Sequence, residues 1–221
     1  MSTLHTAPIA PLLTRLFTEE ATSSATPHEV FAGLSEAERT RLLQSKTDYR
    51  ALYTRLKDVP LAVSRETGTL LYMLARATRA RSIIEFGTSF GISTLHLAAA
   101  LRDNGGGVLI TTEFEPSKAA RARAHLEAGG VSELVELREG DALETLSQGL
   151  PETIDLVLLD GAKSLYPEVL ERLEARLRPG ALVLADNADR SPEYLARVRA
   201  GDGLYMSLPF GPDVELSMRV R

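Results

Sequence analysis

Cysteine is absent from the 221 residues, which excludes a disulfide framework, a thiolate metal site and a cysteine nucleophile together. Any metal must therefore be held by oxygen or imidazole. Long apolar runs are missing too: no stretch approaches the roughly 18 residues that a membrane-spanning helix needs. The N-terminal segment carries Pro8, Pro11 and Arg15 where a secretion signal keeps an unbroken apolar core. A soluble cytoplasmic protein is expected. Nor is there a basic excess. Lysine and arginine number 25 against 30 acidic residues, a formal net charge of −5, without the cationic footprint that drives phosphate-backbone binding. DNA and structured RNA are disfavoured as partners, and a small molecule is expected instead. What is present, 44% hydrophobic residues over this length, suffices to bury the core of one α/β domain with added elements.

Residues 1–80 read as helical, with a Pro/Ser/Thr-rich break at 21–29, then apolar spacing at Phe31, Leu34, Leu42, Leu43, Tyr49, Leu52, Tyr53 and Leu56, and a helix at 68–78. From 81 onward the texture changes. Short β-rich runs, RSIIEF (81–86), GVLITTE (107–113), LVELRE (134–139), IDLVLLD (154–160) and ALVLAD (181–186), alternate with amphipathic stretches, STLHLAAALRD, PSKAARARAHLEAGG, ALETLSQGL and YPEVLERLEARLRPG. That alternation predicts an α/β fold with a parallel sheet covered by helices on both faces. The tail departs from the rhythm: GLYMSLPF and VELSMRVR alternate apolar and polar residues around a short Gly-Pro-Asp segment, a hairpin signal.

The stretch Glu85-Phe86-Gly87-Thr88-Ser89-Phe90-Gly91-Ile92-Ser93 ends a buried strand, turns on glycines and opens a helix. Such a turn lets backbone N–H groups approach a ligand closely, although an ordinary strand-to-helix turn has the same composition. Its glycines do not follow the G-x-G-x-x-G spacing of nicotinamide sites. The next strand ends at Glu113, where a carboxylate can accept both hydroxyls of a ribose; Glu115 is its rival, placed to cap or flank the helix opening at Pro116. Gly140-Asp141-Ala142 closes the third strand, and Asp141 reads equally as an adenine-binding acid or as a helix N-cap.

Asp160 ends the fourth strand and Asp186-Asn187 the fifth. If those strands are neighbours, two carboxylates and an amide converge, a set suited to Mg²⁺, Ca²⁺ or Mn²⁺; acids that merely cap helices are the plain alternative. Lys163, three residues past Asp160, is either a surface lysine or a group aimed at the same edge.

Taken together, G-T-x-x-G-x-S at Gly87–Ser93, the strand-end Glu113, G-D-A at Gly140–Ala142, D-x-x-K-x-x-Y at Asp160, Lys163 and Tyr166, and D-N at Asp186-Asn187 resemble the cation-dependent O-methyltransferases, the family of catechol and caffeoyl-coenzyme A O-methyltransferases. The resemblance covers about residues 60–221. It implies a Rossmann-like class I methyltransferase fold, a doubly wound, seven-stranded, mostly parallel sheet closing in an antiparallel hairpin. It implies S-adenosylmethionine as cofactor, with Glu85, Gly87, Thr88, Ser89, Gly91, Ser93, Glu113, Asp141, Ala142 and Asp160 lining its pocket. A sulfonium cofactor has no diphosphate, which suits the altered glycine spacing. The resemblance further implies a divalent cation on Asp160, Asp186 and Asn187, with Lys163 as general base beside Asp160. The acceptor is then a small hydroxylated, catechol-like or phenolic molecule. Residues 1–60 form a helical extension that covers the substrate pocket or builds the interface of a homodimer, and residues 61–221 form the catalytic domain. After the D-N pair the sequence continues Ala188-Asp189-Arg190-Ser191-Pro192, where the family often places bulky or aromatic substrate contacts. A metal-independent methyltransferase and a nicotinamide-dependent oxidoreductase are the competing expectations.

Overall fold

The computed structural model describes residues 2–221. Five helices precede the sheet, the first four being α1 (Ile9–Ala21), α2 (Pro27–Val30), α3 (Glu36–Gln44) and α4 (Tyr49–Arg55). The Pro/Ser/Thr-rich break is not wholly irregular. Thr26 accepts from the Glu29 amide while Glu29 bonds back to Thr26, a capping box that starts the single turn of α2. Ser35 and Glu38 repeat the device at α3. Helix α5 (Arg65–Ala77) then leads into β1 (Ser82–Phe86), α6 (Ile92–Asp103), β2 (Val108–Glu113), α7 (Pro116–Ala128), β3 (Val135–Glu139), α8 (Ala142–Thr145), β4 (Ile154–Leu159), α9 (Tyr166–Glu174), β5 (Leu177–Ala185), α10 (Pro192–Val198) and the hairpin β6 (Tyr205–Phe210) and β7 (Val214–Arg219).

The strands form one sheet in the order β3-β2-β1-β4-β5-β7-β6. Strands β1 to β5 are parallel, and β7 runs antiparallel to both β5 and β6. Because β1 pairs with both β2 and β4, the chain reverses its direction of travel there, and the carboxyl ends of these strands open the crevice where such sheets bind ligands. Period-two alternation divides the core. Ile83, Leu109, Leu156 and Leu184 pack under α1, α5 and α6, whereas Ile84, Ile110, Val157 and Val183 pack under α9 and α10. Helix α6 is buried along nearly its whole length, since α1 and α5 lie over the face turned from the sheet.

Two boundaries differ from the sequence reading. Pro179 and Gly180, read as a helix end, lie inside β5, which begins at Leu177. Ile154 faces Leu177 and Leu156 faces Leu182, so a bulge takes up the extra residues and a proline is tolerated in the strand. The helix expected at 68–78 begins at Arg65, because the Ser64 hydroxyl caps it by accepting from the Thr67 amide at 3.0 Å. No helix among the described residues is long and apolar enough to cross a membrane.

Candidate active site

The loop after β1 is shaped by close approach. A Cβ on Gly87, whose φ is +103°, would lie 2.6 Å from the carbonyl oxygen of Asp160, so only glycine lets the ends of β1 and β4 meet. Gly91, φ +86°, sits at the N-cap of α6. Between them the Ser89 amide donates to Glu113 Oε2 at 2.8 Å, and the Glu115 amide donates to Oε1 at 2.9 Å. Glu113 is thus held at the strand end by two backbone donors. Burial nevertheless pushes its carboxyl above the usual range, opposed by those amides and by the Lys118 ammonium.

Glu113 faces a partly open cavity walled also by Tyr53, Phe86 and Asp160. Of the residues expected to line the cofactor pocket, Gly87, Ser89, Glu113, Asp141, Ala142 and Asp160 line this cavity. Glu85, Thr88, Gly91 and Ser93 do not. They stand behind the loop, where Glu85, fully buried, accepts from Ser93 at 2.5 Å and from Thr94 and Thr111 at 2.6 Å each. Thr88 is spent on the Thr111 hydroxyl at 2.6 Å and the Thr112 carbonyl at 3.0 Å. Thr88 and Ser93 face only a small recess beneath Leu61. The correction is physical: a strand-end carboxylate surrounded by three hydroxyls is satisfied inside the protein and has no reason to turn outward. Burial pushes Glu85 up to about 7, against the pull of those hydroxyls.

Of the two readings of Asp141 the helix N-cap is observed, and the same side chain also lines the cavity. Its Oδ1 caps α8 by accepting from the Leu143 amide at 2.8 Å, and its Oδ2 accepts from the Tyr49 hydroxyl at 2.5 Å and from Arg50. Burial raises its carboxyl, but Tyr49, Arg50 and the amide outweigh that and hold it low. Three cavity residues escaped the sequence reading. Tyr49 and Tyr53 come from α4, with the Tyr53 hydroxyl donating to the Gly161 carbonyl at 3.3 Å; nothing local distinguishes them from core aromatics. Lys118 did carry a signal. A lysine in the first turn of α7 opposes the helix dipole, and here it is buried, 5.3 Å from the Phe90 ring centre and turned to Glu113.

At the next pair of strand ends Leu159 is level with Ala185, so Asp160 and Asp186 emerge side by side. Lys163 Nζ donates to Asp160 Oδ1 at 2.7 Å. Burial, the facing Asp160 and, further off, Asp213 push Asp186 up to about 7, with Lys163 acting the other way. Burial would lower Lys163, but Asp160, Tyr166, Tyr53 and Asp186 outweigh it and hold the ammonium well above the lysine range. Asn187, at φ +47°, directs its amide nitrogen to Asp213 at 3.1 Å, which leaves its carbonyl oxygen as the free donor atom. Two crowded carboxylates and an amide oxygen form a hard-oxygen set whose excess negative charge fits a divalent cation. Asp213, between β6 and β7, was not anticipated in sequence.

Residues 37–194 match the O-methyltransferase family. A catechol O-methyltransferase from Niastella koreensis is 36% identical over 138 residues, which cover 61% of this chain and 62% of that protein. The catechol O-methyltransferase of Mycobacterium tuberculosis is 34% identical over 144 residues, 65% of this chain and 64% of the relative. The chain thus spans less than two thirds of the length of these relatives. Among solved structures, the O-methyltransferase TomG from Streptomyces achromogenes, in complex with S-adenosylmethionine, superposes with a TM-score of 0.65 at 28% identity, covering 88% of this chain and 94% of that one. The O-methyltransferase from Bacillus cereus shares the fold, with a TM-score of 0.66 at 23% identity over 88% of this chain and 96% of that one. With glycine loop, strand-end acids and Lys163 gathered at one sheet edge, and a match across well over half its length, this chain belongs to the O-methyltransferase family.

Proposed function

We propose that the protein transfers the methyl group of S-adenosylmethionine to a hydroxyl of a small catechol-like or phenolic acceptor, with a divalent cation held by Asp160, Asp186 and Asn187. The observation that carries this reading is the continuity of the Glu113 cavity with Asp160, which lines it and also bonds Lys163. Glu113, fixed by two amides, presents its remaining acceptor capacity to ribose hydroxyls. Tyr49 and Tyr53 roof the same cavity, exclude water and favour an aromatic or planar ligand.

A divalent cation held by Asp160, Asp186 and Asn187 would lower the pKa of an acceptor hydroxyl and would compete with Lys163 for the Asp160 carboxylate. Lys163, bonded to Asp160, is placed to act as the base once it has given up its own proton to solvent: its neutral amine would take the acceptor's proton and pass it to water. Its pairing with Asp160 holds that nitrogen protonated in the structure, so the base role depends on relief of that pairing. Attack on a sulfonium methyl is chiefly a matter of alignment, which the rigid strand ends supply.

Calorimetric titration of metal-stripped protein with S-adenosylmethionine, then with catechol with and without Mg²⁺, tests the reading. Cofactor binding followed by metal-dependent acceptor binding and methylation supports it. Absence of cofactor binding sinks it, and methylation indifferent to chelators favours the metal-independent alternative.

A further inference from the structure

Helix α3 packs on the turn Lys163–Leu165, which in turn packs on Ala188–Arg190. Outside this junction lies a wide recess walled by Arg39 of α3, Arg190, and His28 and Phe31 from α2 and its end. A second recess, walled by Ser164 and Lys46, shares Arg190 and Gln44 with the first. Arg190 therefore stands where the two meet, one turn beyond Asn187, while Ser164 adjoins Lys163. Lys46 is neutralised by Glu168 and Glu193, each at 2.7 Å. Arg39 and Arg190 are not: neither guanidinium has an ion-pair or side-chain hydrogen-bond partner among the described residues, and Arg39 Nε is shielded from water without an acceptor. Asp189 is the one carboxylate in the wall and lies beyond ion-pair distance of both arginines. The recess is thus cationic in a chain of net charge −5.

We infer that Arg39 and Arg190 bind a carboxylate carried by the acceptor, so that the protein selects acidic hydroxyaromatic molecules over neutral ones. The inference rests on the methyl-transfer reading above for what becomes of the hydroxyl, but not for the binding itself. The planar guanidinium fork matches carboxylate geometry, and Phe31 offers an apolar surface beside it.

The test compares protocatechuate, a catechol bearing one ring carboxylate, with catechol itself, in metal-loaded protein. Turnover and calorimetric binding are measured for wild type, Arg39→Ala, Arg190→Ala and Arg190→Lys, with melting curves to confirm folding. Wild type is expected to favour protocatechuate in kcat/KM by about tenfold or more, and each alanine variant to lower that ratio about tenfold, chiefly through KM, with partial rescue by lysine. Equal kcat/KM for the two acceptors in wild type, or a ratio unchanged in both alanine variants, overturns the inference. If neither acceptor is methylated, binding decides: protocatechuate affinity lost in Arg190→Ala upholds the carboxylate site while the methyl-transfer reading fails, and affinity unchanged in both variants overturns the site as well.

Discussion

Lys163 and Glu85 are both buried and titratable, yet their surroundings push them toward opposite duties. Lys163 is charged by its neighbours and touches the site; Glu85 is neutralised by burial and supports it. Replacing Lys163 with alanine is expected to lower kcat by about a hundredfold or more while leaving S-adenosylmethionine affinity nearly unchanged, as calorimetry alongside turnover can show. An equal loss of cofactor affinity would remove it from the catalytic role. For Glu85 the sign is set by a folded pKa raised to about 7 from an ordinary 4.5. The folded state therefore binds this proton more tightly, and the associated stability is full below the ordinary value and lost as pH rises through about 7. Melting temperature in Glu85→Gln, relative to wild type, should consequently improve between about pH 5 and about pH 8. A difference independent of pH would mean that Glu85 is ionised throughout. Glu113, Asp160 and Asp186 could be picked out in sequence because each ends a β-rich run, and a parallel sheet places all such ends on one edge. Lys118 and Asp213 could not be assigned so readily, since their proximity to the site comes from packing between segments far apart in the chain.

At the level of elements, the loop after β1 and helix α4 depend on different kinds of contact. The loop is a steric construction: a Cβ on Gly87 meets Asp160 backbone, and one on Gly161 lies 2.5 Å from the Phe86 ring. Gly87→Ala should cost about 2 kcal/mol or more, read by chemical denaturation, since both its positive φ and the backbone contact resist relaxation. Helix α4 is instead tied by Leu52, buried at its inner face, and by the Tyr49 and Arg50 bonds to Asp141. Arg50 is half exposed, so its ion pair contributes little alone. The double change Tyr49→Phe with Arg50→Ala should speed amide exchange across residues 49–55 and alter cofactor affinity, leaving the melting temperature close to wild type. Exchange unaltered by the double change would show that Leu52 and its neighbours hold α4 without the Asp141 clasp. In sequence α4 is only a short apolar pattern; its role as roof arises because it reaches across to β3 and β4.

Over the whole molecule, the cavity joins two halves of the sheet, with Glu113 and Asp141 at the ends of β2 and β3 on one side and Asp160 at the end of β4 on the other. Because Asp160 and Asp186 crowd each other, a cation bound between them would add stability. Added Mg²⁺ is expected to raise the melting temperature in a concentration-dependent way, and Asp186→Asn to abolish that response. A melting temperature indifferent to Mg²⁺ in wild type would count against a cation at this site. The strand-helix alternation and the terminal hairpin were legible in sequence because strand period and turn composition are local properties, whereas the strand order and the reversal beside β1 came from the tertiary structure. Which carboxylates turn inward, which lysine is buried and which segment covers the cavity were decided by tertiary structure alone, because burial and electrostatic coupling act through space between residues that the chain keeps far apart.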